Sequence, residues 1–298
     1  MKDIAVMYHY VKTNDWKGIV SLEPEIFEQQ IDILNKSYEI VSPDDLRKPR
    51  GLKPRCVLTF DDGTKDQYTI AFQIMKNKGV PGYFTVMSSP LLDEVVPIFH
   101  LVHIVLSFHS DEEIWGDLRG RYDVDEVPQL SGIYSYEKDI YRRYNKYAFN
   151  FFLTKDQARD YLQEKAIKVF GTSKNLIDQY YVSKNEFMEM KSQGMTIGVH
   201  CAHHTPYCGD ANIFYKDEIE PCGLFLKNEL NITPEWYTPA FGGGEQYKAM
   251  FRDLEPILRE HGYKAGFATT PGKNNGLSNF WLNRYDCIHV PPFKSIEN

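Results

Sequence analysis

Cys56-Val57-Leu58-Thr59-Phe60-Asp61-Asp62-Gly63 carries five strand-forming residues straight into two adjacent carboxylates and a glycine. A run of that length and character reads as a buried strand, and Gly63 as its end. On the C-terminal side, the spacing predicts a helix over Ile70 to Lys78, stopped by Gly79, and a second strand over Tyr83 to Val86. On the N-terminal side, Ile4 to Met7 reads as a short strand. Pro24 to Lys36 reads as an amphipathic helix with Phe27, Ile31 and Leu34 at helical spacing. Tyr38 to Val41 is strand-like, and Ser42-Pro43-Asp44-Asp45 reads as the cap of a short helix. Strand–helix–strand alternation predicts a parallel sheet with helices outside it, either open or closed into a barrel.

The alternation stops between about Ser88 and Tyr181. Ile98 to Leu106 and Tyr161 to Phe170 read as helices, and Tyr134 to Tyr147 is polar and tyrosine-rich. The stretch is neither Gly/Ser-rich nor poor in apolar residues, so it is expected to be a mostly helical insertion packed on the sheet domain. Alternation resumes with the capping-box pattern Ser183-Lys184-Asn185-Glu186, opening a helix that Gly194 closes. The strand Thr196 to Val199, helices over Ile213 to Leu230 and Leu254 to His261, and a late strand Ala265 to Ala268 complete the reading. No internal repeat is visible, and residues 1–298 are expected to form one domain carrying the insertion at about 88–181.

Composition narrows the class. The 298 residues are 42% hydrophobic and 25% charged, which excludes disorder. The net charge of −7 predicts no general affinity for nucleic acid or anionic membranes. Val95 to Phe108 is the longest nearly apolar run; it contains Pro97, His100 and His103 and is shorter than the ~20 residues of a spanning helix. Met1-Lys2-Asp3 leads into too short an apolar stretch for a signal core. The five cysteines (Cys56, Cys201, Cys208, Cys222, Cys287) are odd in number and widely spaced, which argues against a disulfide framework. A reduced, cytoplasmic protein is expected.

Two places in the sequence carry chemistry. Asp61 and Asp62 stand at the C-terminal end of a predicted strand, the edge where parallel α/β sheets place their sites. Neighbouring side chains there point different ways, so one carboxylate can bind a metal while the other faces substrate or water. Taken alone, Asp-Asp-Gly also fits a simple turn. A haloacid-dehalogenase nucleophile site is excluded by register, since that chemistry wants one residue between its two aspartates. Gly198-Val199-His200-Cys201-Ala202-His203-His204 holds three of the nine histidines after another strand. His200 and His204, four apart across one turn, can converge on an ion. Asp62, His200 and His204 would give two imidazoles and one carboxylate, leaving positions open for water and substrate. A thiolate-rich structural zinc site is not expected, because no Cys-x-x-Cys pair exists.

With these residues in view, the chain resembles the polysaccharide deacetylases, carbohydrate esterase family 4 or NodB-homology domains. The resemblance rests on Thr59-Phe60-Asp61-Asp62-Gly63 and on His200-Cys201-Ala202-His203-His204, with Cys201 where a small hydroxyl residue is usual. Thr238-Pro239-Ala240-Phe241-Gly242 and Val6-Met7-Tyr8-His9-Tyr10-Val11 add to it. It covers most of the chain apart from the insertion. It implies a distorted (β/α)7-type barrel and metal-dependent removal of N-acetyl groups from amino sugars.

Carried over by position, Asp61 is the general base, and Asp62, His200 and His204 are the metal ligands. The usual arginine before Pro239 is missing, Tyr237 and Thr238 standing in its place. The late Leu-His motif has only Cys287-Ile288-His289 as a counterpart. Relatives with permuted motifs place the acid histidine on the first strand, and His9 fits that subgroup better than His289 fits the usual one. Arg284 and Asp286 are candidates to replace the missing arginine and to orient acid or base, although Arg-x-Asp is as often a structural ion pair. Pro239, Phe241 and Gly242 are candidate substrate or oxyanion residues, with Gly242 to Gly244 allowing close backbone approach. Zinc is the first expectation for the metal, and the ligand set also accepts iron, cobalt or nickel. The expected substrate is an N-acetylated sugar of a surface polysaccharide, or its lipid-linked or nucleotide-linked precursor at the membrane surface. The insertion is expected to cap the site and set that choice; its His100, His103 and His109 are candidate substrate contacts, with structural roles the favoured reading. Alternatives are a deformylase or other amide hydrolase, an ester or phosphate hydrolase on the same barrel, and a sugar-binding member without catalysis.

Overall fold

The computed structural model describes residues 2–13, 15–242 and 245–296. Among the described residues nine strands pair in parallel: β1 (Ile4–Tyr8), β2 (Glu39–Ile40), β3 (Arg55–Phe60), β4 (Tyr83–Met87), β5 (Thr196–Cys201), β6 (Trp236–Tyr237), β7 (Ala265–Phe267), β8 (Trp281–Leu282) and β9 (Tyr285–Asp286). Eight of them follow the order β8-β7-β6-β5-β4-β3-β1-β9, while β2 pairs beside the start of β3. The sheet curls as a distorted (β/α) barrel. The register fixes the site: Tyr8 lies opposite Phe60, and Phe60 opposite Phe84, so β1 and β3 end level with one another while β4 runs three residues further, to Met87.

The chain divides into two compact units. The first comprises Met1–Thr13, Ser21–Val95 and Asp178–Asn298, and contains the whole sheet; the second comprises Asn14–Val20 and Val96–Ile177. In the first unit, every residue of β1, β3 and β4 is buried, which explains why these strands read as continuous runs and not as alternation. The helix Pro24–Ser37 buries Phe27, Ile31 and Leu34, and Phe27 meets Tyr8 and Phe60 edge-on at 5.1 and 5.7 Å. Gly198 in β5 is required by packing: a Cβ there would run into the Tyr83 ring. Three of the predicted helices deviate from the simple reading. The helix expected at Leu254 runs over Glu245–Glu260, with Pro256 inside it. The helix expected over Ile213 to Leu230 is broken into Ala211–Phe214, a π-helical turn Tyr215–Ile219, and Glu220–Glu229. A second π-helical turn, Gln67–Phe72, precedes the helix Gln73–Lys78.

The second unit is helical, built on Ile98–Phe108, Asp111–Arg121, Ile140–Tyr147 and Lys155–Phe170. Its boundaries are narrower than 88–181, and it recruits a segment far upstream. Trp16 meets Phe108 edge-on at 4.8 Å, the Gly18 N–H donates to Ser107 Oγ, and a Cβ at Gly18 would clash with the carbonyl of His103. No pattern in residues 14–20 announces that partnership. Its core takes Leu101, Ile104, Val105, Ile114, Leu118, Leu162 and Ala166. His100 is buried in the same helix. No helix among the described residues is long and apolar enough to cross a membrane, and all five cysteines are free.

Candidate active site

Asp61 follows β3 directly and is 2% exposed. Its backbone N–H donates to the Tyr8 carbonyl, which places His9, the residue after β1, at its side; His9 Nε2 stands 3.9 Å from Asp61 Oδ2. The other oxygen, Oδ1, accepts from Arg284 Nη1 at 2.7 Å. Arg284 is fully buried and further donates to Thr59 Oγ1 and to the carbonyl of Ala268. Burial alone would raise the Asp61 carboxyl; the charge and hydrogen bond of Arg284, helped by His200 and His9, outweigh it and hold the pKa below the usual carboxylate value. Gln67, at the start of its π-helical turn and fully buried, donates through Nε2 to the carbonyls of both His9 and Asp61.

Asp62 points the other way. It adopts φ 75°, a left-handed conformation that aspartate tolerates better than most residues, and it turns its carboxylate toward β5. Asp62 Oδ1 lies 3.1 Å from His200 Nε2 and 3.6 Å from His204 Nε2. One ligand atom from each of Asp62, His200 and His204 lies within 4.8 Å of the others. His200 Nδ1 lies 2.8 Å from the Thr238 carbonyl. A carbonyl only accepts, so Nδ1 carries the hydrogen and a neutral His200 turns a lone pair from Nε2 onto a buried carboxylate oxygen. Two acceptors face each other, an arrangement that a cation between them satisfies. The separations fit as well: four ligands at ~2.1 Å around a tetrahedral ion stand ~3.4 Å apart. Burial opposes a charge on His200, but Asp62 and Asp61 hold its pKa above the ordinary value, whereas burial drives His204 below it.

His204 also has positive φ, 60°. Its turn is gathered around Glu218, a buried residue of the π-helical turn Tyr215–Ile219. Burial pushes the Glu218 carboxyl up, but bonds from His203 and Thr205 outweigh it and leave the pKa below the usual value.

The remaining candidates fall in different places. Pro239 is buried after β6, and the Phe241 ring meets His204 edge-on at 4.8 Å. A Cβ on Gly242 would clash with the Thr269 side chain, so the backbone passes close there; Gly243 and Gly244 lie outside the described residues. Asp286 turns away from Asp61: its carboxylate caps the short helix Cys287–His289 by accepting from the Ile288 N–H. His289 belongs to that helix and is half-buried. Gln67, Glu218 and Thr238 are site residues that sequence reasoning missed. Thr238 opens a quoted motif but was given no role there, whereas Gln67 and Glu218 carry no local signal.

The fold is the one found in polysaccharide deacetylases. Solved structures similar to this chain include IcaB from Ammonifex degensii (15% identity, 98% of this chain and 92% of that one, TM-score 0.58). The deacetylase PplD from Streptococcus pyogenes, in complex with acetate, matches at 15% identity over 96% and 92%, with TM-score 0.57. A de-N-acetylase from Aggregatibacter actinomycetemcomitans matches at 13% over 95% and 94%, with TM-score 0.53. No protein-family model and no curated protein sequence matches the chain.

Proposed function

We propose that the chain is a metal-dependent N-deacetylase acting on an N-acetylated amino sugar of a polysaccharide, or of its lipid-linked or nucleotide-linked precursor. The observation that carries the reading is the convergence of Asp62, His200 and His204 beside a second carboxylate, Asp61, that is kept separate from them by its bond to Arg284. The fold neighbours support the amide as the bond attacked: one is described as a de-N-acetylase, and another was solved with acetate, the acid that deacetylation releases.

Asp62, His200 and His204 would hold the ion, and zinc suits two imidazoles and one carboxylate. When bound, a divalent cation polarises an amide carbonyl and lowers the pKa of water toward ~7. Asp61 takes the proton from the attacking water; Arg284 keeps its carboxylate ionised and aimed. The candidate donor to the oxyanion is the backbone N–H of Phe241, next to Gly242. As the C–N bond breaks, His9 gives its proton to the departing amine, leaving acetate and a free amino sugar. His9 suits this role because it is 44% exposed at the side chain, and so reaches both substrate and solvent, while sitting 3.9 Å from Asp61.

Acetate release from N-acetylglucosamine oligomers tests the proposal. Asp61→Asn and His9→Ala should each lower kcat by about 10²-fold or more, with His289→Ala near wild type. Unchanged turnover in Asp61→Asn would remove the base assignment, and a loss confined to His289→Ala would move the acid to that residue.

A further inference from the structure

Glu218 takes no part in the chemistry just described, yet it is bonded almost entirely to the turn that presents His204. Its Oε2 accepts the backbone N–H groups of His203 and His204 at 2.9 and 3.1 Å. Its Oε1 accepts from Thr205 Oγ1 at 2.6 Å and lies 3.5 Å from His203 Nδ1. Its own carbonyl accepts the Ala202 N–H at 2.8 Å. Four consecutive residues, 202 to 205, are thus tied to one side chain and its backbone. We propose that Glu218 is a positioning residue for the cation site: it clamps this turn so that His204 faces Asp62 and His200, and thereby sets the affinity for a divalent cation. The inference rests on reading Asp62, His200 and His204 as that site.

The burial of Glu218 is conditional on the turn. A carboxylate only 2% exposed is tolerable when its oxygens are fully bonded. Here those bonds come from a single conformation of the turn, the one with His204 at φ 60°, a region sparsely populated by residues other than glycine. If the turn relaxed, Glu218 would be left buried and bare. The carboxylate therefore opposes the local preference of the chain at the very residue that must supply a ligand. Outer partners of this kind commonly change metal affinity 10–100-fold when removed.

The test uses the full chain stripped of metal. Zinc affinity is measured by competition with a chromophoric chelator, and ligand geometry by the visible absorption of the cobalt-substituted protein. Glu218→Ala should bind zinc at least about tenfold more weakly and shift the cobalt bands. Glu218→Gln should stay within about threefold of wild type, because its amide oxygen still accepts the two N–H groups while its NH2 donates to Thr205 Oγ1. Zinc affinity and cobalt spectrum unchanged in Glu218→Ala would overturn the clamp while leaving the cation site intact. If Glu218→Ala does not fold, Thr205→Val decides: one lost bond should weaken zinc about threefold, and unchanged affinity overturns the clamp. A wild-type chain that takes up no zinc would instead overturn the cation reading and the clamp with it.

Discussion

At the scale of single residues, two adjacent aspartates are given opposite tasks by their surroundings. Asp61 is tethered to a buried guanidinium, and Asp62 is twisted into the left-handed region to meet two imidazoles. Both were legible, because a strand end supplies the divergence of neighbouring side chains and a His-x-x-x-His spacing supplies the convergence. Arg284 was legible as a candidate only, since nothing local told it apart from Asp286; the structure sends the first to Asp61 and the second to a helix cap. Another carboxylate, Asp66, provides a pH test. Its Oδ2 accepts the Val11 N–H at 2.6 Å, and burial raises its pKa to about 6, against the lowering effect of bonds from Val11 and Thr64. A folded pKa above the unfolded value means that the folded protein binds the extra proton between pH ~4 and ~6. Stability therefore falls as pH rises through that window, by about 3 kcal/mol. Urea unfolding at several pH values should show this fall in wild type and not in Asp66→Asn.

At the scale of elements, the site depends on two π-helical turns that hydrophobic periodicity does not reveal. Such a turn adds one residue to a helical period, so the pattern still reads as helix while the side chains are re-aimed. Gln67 and Glu218 both sit on turns of this type, which is why neither was found from sequence. The two-residue strands β6, β8 and β9 were missed for another reason: they are too short for a period-2 pattern. Gln67→Ala would leave the carbonyls of His9 and Asp61 without this donor in a buried place. The expected cost is about 2 kcal/mol in denaturant unfolding. A tenfold or greater fall in kcat, with little change in KM, should accompany it, since the residues proposed as acid and base lose their common tie. Loss of stability with full kcat would show that Gln67 serves the fold alone.

At the scale of the whole molecule, a buried ion pair at the opposite end of the strands ties the segment before β1 to the start of β3. Asp3, before β1, accepts from the backbone and guanidinium of Arg55 in β3, from Arg50, and from the Gly276 N–H. Burial would raise its pKa, but Arg55 and Arg50 outweigh it and hold it below the usual value. The sign is thus opposite to that of Asp66: the stabilisation is present above pH ~4 and is lost as pH falls through the folded pKa. Asp3→Asn should destabilise the chain by about 3 kcal/mol, leaving Arg55 buried without its partner, and should remove that acid-side loss. A parallel sheet was legible from strand–helix alternation, its closure into a barrel only from the family resemblance; β1, β3 and β4 read as continuous runs because they are buried throughout. The division into two units was only partly so: a helical insertion is visible in its composition, but the recruitment of Trp16 and Gly18 depends on packing that no local pattern encodes.

The proposed chemistry depends on Asp62, His200 and His204 holding one cation. Calorimetric titration of zinc into the metal-free chain tests this most directly, run beside the variant Asp62→Asn/His200→Gln/His204→Gln. One equivalent bound by the wild type and none by a folded triple variant is the predicted result. No binding to the wild type, or equal binding to both, would contradict it.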